Sequence, residues 1–367
     1  MVSPWDLILQ LFINSRTMRY FSLSALLFLC CMCAPSNPDK PEKPVEPADT
    51  TEQATPTYAK GADISWVTEM EAKGYTFYNA SGEERECTAL MKELGFNAVR
   101  YRVWVNPTNG YNSAEDVLKK ALRAQALGMS IMIDFHYSDT WADPGKQIIP
   151  AAWKDYDLAQ MTAAVTKHTT ETLQLLKDKG IDVTWVQVGN EVNTGMLWEV
   201  GRVSNSNSTN FIRLLNAGYD AVKAVYPKAL VILHHSNGHK YDENQWFYDL
   251  MKQGGAKYDV MGFSLYPSYW SNGGYPDWKP ATQSFVNNLS LYHDRYGLPS
   301  MLVEVGMPAA EPETAKEMLT WLFVKTKDLS YFGGIFYWEP ESEKSRNGYD
   351  YGAFANGRPT VALDPFK

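Results

Sequence analysis

Two glutamates each close a short apolar segment of the chain, and residues of this type can act as acids, bases or nucleophiles. Glu191 ends the segment TWVQVGNE, and Glu304 ends the segment MLVE. A carboxylate at the end of a buried strand is costly to desolvate unless it has partners. A single such residue could be half of an ion pair at the edge of a sheet. Two of them, in a chain that also has Arg and His at the ends of apolar segments, indicate a functional pair.

The glutamates belong to a regular alternation of strand-like and helical segments. Apolar, β-branched or aromatic segments predict strands at residues 62–66, 98–105, 130–135, 183–188, 230–234, 260–265, 301–305 and 334–338. Amphipathic segments predict helices that include residues 114–127, 158–179, 210–226, 283–296 and 312–327. Strands that alternate with helices form a parallel sheet, and eight of them close into a barrel. The predicted fold class is therefore α/β, a single (β/α)8 TIM barrel over residues 59–367.

The carboxyl ends of barrel strands form the active-site face, so polar residues at those ends are candidates for function. They are Asp63, Arg100, Arg102, Asp134, His136, Asn190, Glu191, His235, Tyr266, Glu304, Trp338 and Glu339. Strands four and seven face each other across the mouth, which brings the two glutamates together. A facing pair of carboxyls is the arrangement for hydrolysis of a glycosidic bond. A separation of about 5 Å gives retention of configuration, and one of roughly 6.5–9.5 Å gives inversion.

Several longer motifs resemble one enzyme family. The segment GNE at 189–191, with a glutamate ending strand seven, resembles the retaining clan-A glycoside hydrolases. Within that clan the chain is similar to the family-53 endo-β-1,4-galactanases over about residues 59–340. The matching segments are VRYRVWVNP at 99–107, DFHYSDTWADPGK at 134–146, WVQVGNEV at 185–192, YDVMGFSLYP at 258–267 and YWEP at 337–340.

The resemblance implies roles for the residues around the glutamate pair. Glu191 would be the acid/base and Glu304 the nucleophile. Arg100 would keep Glu304 ionised through a charge-assisted hydrogen bond, and Tyr266 would donate a second one. Arg102 has the same strand parity as Arg100 and is the second candidate for the contact with the nucleophile.

Four further residues are assigned to the sugar at the cleavage site by the same resemblance. Asn190 would bond the 2-hydroxyl group, a contact that tightens in the transition state. Trp338 would give the sugar an apolar floor. His136 and Asp134 would line the pocket from strand three.

Residues in the loops have two possible roles, substrate contact or folding of the loop. Trp141 and Asp139, after strand three, would form a platform for a sugar and an acceptor for its hydroxyls, and we favour substrate contact for both. Tyr269 and Trp270, after strand six, present the same alternatives.

Two histidines and two tryptophans are placed by strand parity. His234 and His235 are adjacent and point to opposite faces of a strand, so they cannot readily bind one metal ion. We expect His235 in the cleft and His234 in packing. Trp104 and Trp185 are expected in the barrel core.

Composition limits the partners and cofactors. The net charge is −8 without a basic block, which argues against a nucleic-acid partner. Cys87 is the only cysteine after residue 33, so the folded part should contain neither a disulfide nor a cysteine–zinc site.

Some family members carry a Ca²⁺-binding loop after the nucleophile strand. Residues 306–312, GMPAAEP, have almost no oxygen ligands, so we expect no Ca²⁺ there and no cofactor. We expect a monomer with a polysaccharide substrate.

The N-terminus has the features of an export signal. A basic start precedes an apolar segment, residues 20–29, that is too short for a membrane span and ends in Cys30, Cys31 and Cys33. A cysteine at this place is typical of a bacterial lipoprotein signal, and any of the three could be lipidated. The alternative is plain secretion with cleavage near Ala34, and we favour lipidation.

A tether separates this signal from the catalytic domain. Residues 35–58 contain six prolines among charged and small residues. Such a segment has little to bury and is predicted to be extended and disordered. The predicted organisation is a signal at 1–34, a tether at 35–58 and the barrel at 59–367, on a protein held at the cell surface or outer membrane.

The leading prediction is a retaining endo-β-1,4-galactanase that acts on pectic galactan. One alternative is another clan-A endo-enzyme, such as a mannanase or a β-1,4-glucanase. A second alternative, from a different class, is a surface lipoprotein that binds glycans on an inactive barrel.

Overall fold

Eight parallel strands form a closed barrel in the computed structural model, which describes residues 58–205, 207–267 and 277–367. Each strand pairs with the next, and the last pairs with the first. The strands are β1 (Ala59–Asp63), β2 (Ala98–Val103), β3 (Ser130–Phe135), β4 (Trp185–Val188), β5 (Leu230–His235), β6 (Val260–Leu265), β7 (Ser300–Val305) and β8 (Phe332–Trp338). The predicted α/β single TIM barrel is confirmed.

Helices surround the barrel between its strands. They are α1 (Val67–Ala72), α2 (Cys87–Glu93), α3 (Ala114–Ala126), α4 (Leu158–Asp178), α5 (Thr209–Val225), α6 (Tyr241–Gln253), α7 (Lys279–Tyr296), α8 (Pro312–Thr326) and α9 (Lys344–Asn347). Short two-stranded pairs join residues 77–78 to 84–85, 195–196 to 201–202, and 354–355 to 358–359. Within the described part of the chain, no helix has both the length and the apolar character that a bilayer span requires.

Local side-chain chemistry sets where several helices begin and end. The Ser113 side chain accepts a hydrogen bond from the first turn of α3, and Asp157 forms a capping box with Gln160 at the start of α4. Gly297 ends α7 with a φ of 70°, a conformation that glycine adopts without strain. β1 ends three residues earlier than predicted because Asp63 accepts hydrogen bonds from Ser65 and turns the chain into α1.

The side chains of each barrel strand alternate between the inside of the barrel and the surrounding helices. The barrel interior is filled by Ala59, Ala98, Met132, Trp185, Ile232, Val260, Met301, Val303 and Phe336. Trp185 is therefore in the barrel core, as predicted. The pairing register of β6 with β7 shifts after Phe263, so that Ser264 lies beside Glu304. Such an irregularity can turn consecutive residues toward the same face. It explains how Val303 fills the interior while Glu304 reaches the mouth.

The predictions for the N-terminal part and for one loop concern residues that the structure does not describe. The signal segment and all of the tether except Tyr58 lie outside the described residues, as do Tyr269 and Trp270.

Candidate active site

A cavity of about 560 Å³ opens at the carboxyl ends of the barrel strands and contains both glutamates. Its other lining residues come from the loops and ends of β3 to β8. They are His136, Trp141, Ala142, Asp143, Pro144, Asn190, Ser236, Asn237, Ser264, Tyr266, Trp338 and Tyr349. The barrel thus brings together most of the residues that the sequence singled out, although they are distant from one another along the chain.

Glu304 has a close partner at each carboxylate oxygen, an ion pair at one and a hydrogen bond at the other. An Nη atom of Arg100 is 2.9 Å from Oε1, and the hydroxyl of Tyr266 donates to Oε2 at 3.0 Å. The side chain is only 8% exposed. A carboxylate held by a guanidinium and a hydroxyl in a nearly dry site has its charge stabilised and its orientation fixed.

Arg100 lies beneath Glu304 and does not face the cavity. It is 1% exposed, and its guanidinium is 2.7 Å from Asp63 and 2.9 Å from Asp134. It also donates to Oδ1 of Asn190 at 2.8 Å. One buried cation therefore serves three carboxylates, including Glu304, and its influence on a substrate passes through Glu304 and Asn190.

Arg102 forms a different pair. It donates to Glu339 and stands 3.9 Å from Asp63, and it makes no contact with Glu304. Of the two arginines that share a strand parity, Arg100 is the one that reaches Glu304.

Glu191 has fewer donors than Glu304. The hydroxyl of Ser264 donates to its Oε1 at 2.7 Å, and its backbone N–H donates to Nδ1 of His234 at 3.3 Å. The backbone of Glu191 has a φ of 44°, in the left-handed region that non-glycine residues rarely occupy. This conformation, just past the end of β4, turns the carboxyl toward the mouth of the barrel.

The pKa values of both glutamates are raised. Burial is the main cause, and it raises the pKa of both carboxyls above the usual range for glutamate. Arg100 opposes both shifts, while the negative charge of Glu191 adds to the shift of Glu304. Two carboxyls that influence each other in this way titrate as a pair, and when the pair holds a single proton its location depends on the partners of each carboxyl.

An aromatic wall bounds one side of the cavity. Trp141 and Trp338 line the cavity, with ring centroids 5.8 Å apart, and Trp66 packs against both at 5.4 Å. The guanidinium of Arg102 lies 4.3 Å from the Trp141 ring centroid, a cation–π contact. Trp104, which we expected in the barrel core, packs edge-on against Trp141 instead, because β2 ends at Val103 and the next residue leaves the barrel.

The prediction for His235 is wrong. Its ring packs outward against Phe247 and Tyr248 of α6, and its Nδ1 is 2.7 Å from the backbone oxygen of Ser236. It is 2% exposed and does not line the cavity. The pKa of His235 is lowered to about 4 by burial, as for a neutral histidine in a core.

His234 points into the barrel, the direction expected for its neighbour, but it is fully buried and does not line the cavity. It shares its strand face with Ile232, which points into the barrel. Its Nδ1 is 3.0 Å from Oδ1 of Asn190 and from Nε2 of Gln187, and its Nε2 is 2.8 Å from the Ser264 hydroxyl. His234 therefore supports the cavity floor from inside the barrel.

Asp139 holds the loops together and lies outside the cavity, where we had predicted a contact with substrate. Its two carboxylate oxygens accept hydrogen bonds from the backbone of Asn106, at 2.9 Å, and of Ala151, at 2.8 Å. Both acceptors face loop backbone, and Asp139 does not line the cavity.

Asp134 does not line the cavity either, although we predicted that it would. It is fully buried and contacts Arg100, His136 and Gln187, the last at 2.6 Å. Its neighbour His136 does line the cavity. The Nδ1 atom of His136 accepts from the Ala142 backbone, so Nε2 carries the proton and donates to Asp134 at 3.0 Å.

Several residues of the site were missed at the level of sequence. Gln187 contacts Asp134, Asn190 and His234, and its position two residues after inward-facing Trp185 is the signal that could have revealed it. Ser264 lies in the same way at the end of β6. Tyr349 and Asp143 come from loops, where no strand parity applies.

No metal centre is evident in the described ranges. Among residues 58–205, 207–267 and 277–367, no group of three or more His, Cys, Asp or Glu side chains is arranged to hold a metal ion.

The chain resembles known glycosidases in sequence and in structure. The sequence model of glycosyl hydrolase family 53 matches residues 59–321. A protein named probable arabinogalactan endo-beta-1,4-galactanase A, from Aspergillus tubingensis, is 34% identical over 308 residues, covering 78% of this chain and 86% of the relative. An arabinogalactan endo-beta-1,4-galactanase from Thermothelomyces thermophilus is 32% identical, covering 77% of this chain and 89% of the relative.

Solved structures agree with this assignment. A structure from a study of two fungal beta-1,4-galactanases superposes with a TM-score of 0.76 and 30% identity, covering 85% of this chain and 99% of the other. The family-53 catalytic domain from Ignisphaera aggregans gives a TM-score of 0.72 and 26% identity, covering 88% and 98%. The resemblance stated from the motifs is confirmed, and the chain belongs to glycosyl hydrolase family 53.

Proposed function

We propose that this protein is a retaining endo-β-1,4-galactanase that hydrolyses the β-1,4-galactan of type I arabinogalactan and pectic side chains. The observation that carries the proposal is the placement of Glu191 and Glu304 in one cavity with unequal partners. Family membership and the names of the relatives support the choice of galactan.

The unequal partners decide which carboxyl holds the shared proton. Glu304 has a cationic partner, Arg100, and a hydroxyl donor, Tyr266, whereas Glu191 has one neutral hydroxyl donor. Hydrogen bonds and a positive charge favour the ionised form. The proton therefore resides on Glu191, and the negative charge resides on Glu304.

The first step transfers the sugar to the enzyme. A Glu304 oxygen attacks the anomeric carbon and forms a glycosyl ester, while the bond to the leaving oxygen breaks. Glu191 donates its proton to that oxygen, so the leaving chain departs as an alcohol. Arg100 then loses an anionic partner at Glu304, and its remaining contacts with Asp63 and Asp134 hold it in place.

The second step releases the sugar. Glu191 is now ionised and takes a proton from water, which attacks the anomeric carbon from the side that the leaving chain vacated. Glu304 leaves as a carboxylate, and the product keeps its β configuration. The raised pKa of Glu191 suits a group that must both donate and accept a proton near neutral pH.

Other cavity residues are proposed to hold the sugar at the cleavage site. Asn190 would bond the 2-hydroxyl, His136 would contact a neighbouring hydroxyl, and Trp338 would pack beneath the ring. Trp141 would extend that apolar surface. All four line the cavity, and Asn190 and His136 are oriented by hydrogen bonds to the layer beneath.

Two variants and a substrate panel test the assignment. Glu304→Ala should abolish hydrolysis of galactan, and activity within about tenfold of wild type would remove Glu304 from the nucleophile role. Glu191→Gln should lose far more activity on substrates with poor leaving groups than on activated aryl glycosides, and a uniform loss would contradict its acid role. Circular dichroism should show that both variants are folded.

The panel distinguishes the alternatives. Galactan should be cut to short oligosaccharides, while mannan and β-1,4-glucan remain intact. Cleavage of mannan or glucan with galactan untouched would establish a different endo-glycanase. Binding of a polysaccharide without release of reducing ends would establish a glycan-binding protein.

We further propose that the protein is a monomer anchored to a membrane through a lipidated cysteine, with the proline-rich segment as a tether. The apolar segment at 20–29 and the cysteines at 30, 31 and 33 support this proposal. Replacement of each cysteine by serine, followed by fractionation, tests it. One variant should move the protein from the membrane fraction to the soluble fraction, and retention of all three variants at the membrane would contradict it.

A further inference from the structure

A second cavity, outside the active-site cavity, has features of a carbohydrate site. Its volume is about 570 Å³, close to that of the active-site cavity. It lies between the loop after β2, the loop after β3 and residues 160–171 of α4. Its lining residues are Val105, Asn106, Trp153, Tyr156, Gln160, Ala163, Ala164, Lys167, His168 and Glu171, here called the α4 groove.

The α4 groove combines aromatic surface with polar side chains that have spare hydrogen-bonding capacity. Tyr156 is 37% exposed, and Trp153, which also lines the groove, is largely buried and packs against the ring of His168. The side chain of Asn106 forms no hydrogen bond within the described residues, and Gln160 uses only its oxygen, in the capping box of α4. Sugars pack their C–H faces against aromatic rings and form hydrogen bonds with amides through their hydroxyls, so the aromatic surface and the amide side chains of the groove are both suited to a sugar.

His168 contributes a hydrogen-bond acceptor to the α4 groove. Its Nε2 is buried without a hydrogen-bond partner among the rings of Phe135, Tyr137 and Trp153, whose centroids lie 5.6–6.2 Å away. Burial lowers the pKa of His168 to about 4, so the ring is neutral. An N–H group can be buried against the face of an aromatic ring at little cost in free energy, whereas burial of an unpaired nitrogen lone pair there costs more. Nε2 therefore carries the proton, and Nδ1 is left as an acceptor.

The charges of the α4 groove favour an uncharged ligand. Lys167 and Glu171, one turn apart on α4, stand 3.9 Å from each other and cancel. An anionic ligand would be repelled by Glu171, and a cationic ligand would be repelled by Lys167. A neutral hexose chain would accept from Lys167 and donate to Glu171 and to His168.

The α4 groove and the active-site cavity lie on two sides of the same pair of loops. Asp139 ties Asn106 to Ala151, which begins the short helical turn that carries Trp153. On the cavity side the same loops carry Trp104 and Trp141. A long polysaccharide could therefore be held in the groove while another stretch is cut.

We propose that the α4 groove is a second binding site for β-1,4-galactan, which retains the polymer near the active site without taking part in cleavage. This proposal rests on the proposed function for the choice of sugar. The loss of one aromatic contact should weaken binding by about threefold to tenfold.

The test compares a polymer with a short substrate in the full chain. Tyr156→Ala removes the exposed ring, and His168→Phe keeps the aromatic packing but removes the acceptor. Trp321→Ala, at a partly exposed tryptophan of a different surface cavity on α8, is the matched control. Initial rates are measured on polymeric β-1,4-galactan and on β-1,4-galactotetraose, which is short enough to occupy the active-site cavity alone.

The KM for the polymer should rise by about threefold to tenfold in both groove variants, with kcat/KM for the tetraose within about twofold of wild type. The control should change neither. An unchanged polymer KM would overturn the proposal, as would an equal loss on both substrates. Failure of the wild type to cut galactan at all would instead overturn the proposed function, so the two failures are distinguishable.

Discussion

The hydroxyl of Tyr266 offers a direct way to change the charge state of Glu304 without disturbing the barrel. Tyr266→Phe deletes one oxygen that donates to Oε2 of Glu304 at 3.0 Å and leaves the Arg100 contact in place. A hydrogen bond to a charged group contributes about 1.5–3 kcal/mol. Since one pKa unit corresponds to about 1.4 kcal/mol, the pKa of Glu304 should rise by about one to two units.

The sign of the effect on activity follows from the role of Glu304. Because the nucleophile must be ionised, the acid limb of the pH profile of kcat/KM should also move to higher pH by about one to two units. Below that limb, kcat/KM should fall by about tenfold to a hundredfold. The deficit should shrink as the pH rises.

The assay is the pH dependence of kcat/KM on a soluble galactan. Tyr248→Phe is the matched control, because it also removes a buried hydroxyl, one that donates to the backbone oxygen of Leu233 at 2.9 Å outside the site. The control should lose stability and keep the pH profile. An acid limb that stays in place for Tyr266→Phe would refute the reasoning that Tyr266 stabilises the charge of Glu304.

Three further changes test other parts of the site. Ser264→Ala removes the hydroxyl that lowers the pKa of Glu191, so the alkaline limb of kcat/KM should move up by about one pH unit, and an unchanged limb would contradict this. His235→Phe should retain kcat/KM within about twofold of wild type, because the His235 ring packs against α6. A larger loss would indicate that His235 acts in the cleft. Arg102→Met leaves Glu339 buried without its cation, so the free energy of unfolding, measured in urea, should fall by about 3–5 kcal/mol, and a fall below about 1 kcal/mol would contradict the buried pair.

The alternation of apolar and amphipathic segments was sufficient to predict the barrel. Each of the eight predicted strands overlaps an observed one, because strands buried on both faces are recognisable as short apolar segments. The helices that escaped prediction are α1, α2, α6 and α9. Three of them, α1, α2 and α9, are short, and α6 begins with the polar sequence YDENQ, which has little apolar periodicity.

The contents of the site were less predictable than its location. His234 and His235 together end the apolar segment at 230–233, so the pattern did not show which of them points inward, and the pairing of strands decided it. The prediction for Asp139 failed because its partners, Asn106 and Ala151, belong to loops, and the conformation of these loops cannot be predicted from the local sequence. Arg100 was a candidate because it lies near the carboxyl end of a barrel strand, and the resemblance to family 53 is what favoured it over Arg102 for the contact with Glu304.

The stereochemistry of the released sugar tests the central claim most directly. Proton NMR can follow the anomeric signals during the first minutes of hydrolysis, before mutarotation mixes the two anomers. Attack by Glu304 followed by attack by water predicts that the β-anomer of the new reducing end appears first. First appearance of the α-anomer would mean that a single displacement by water operates, and Glu304 could not then be the nucleophile.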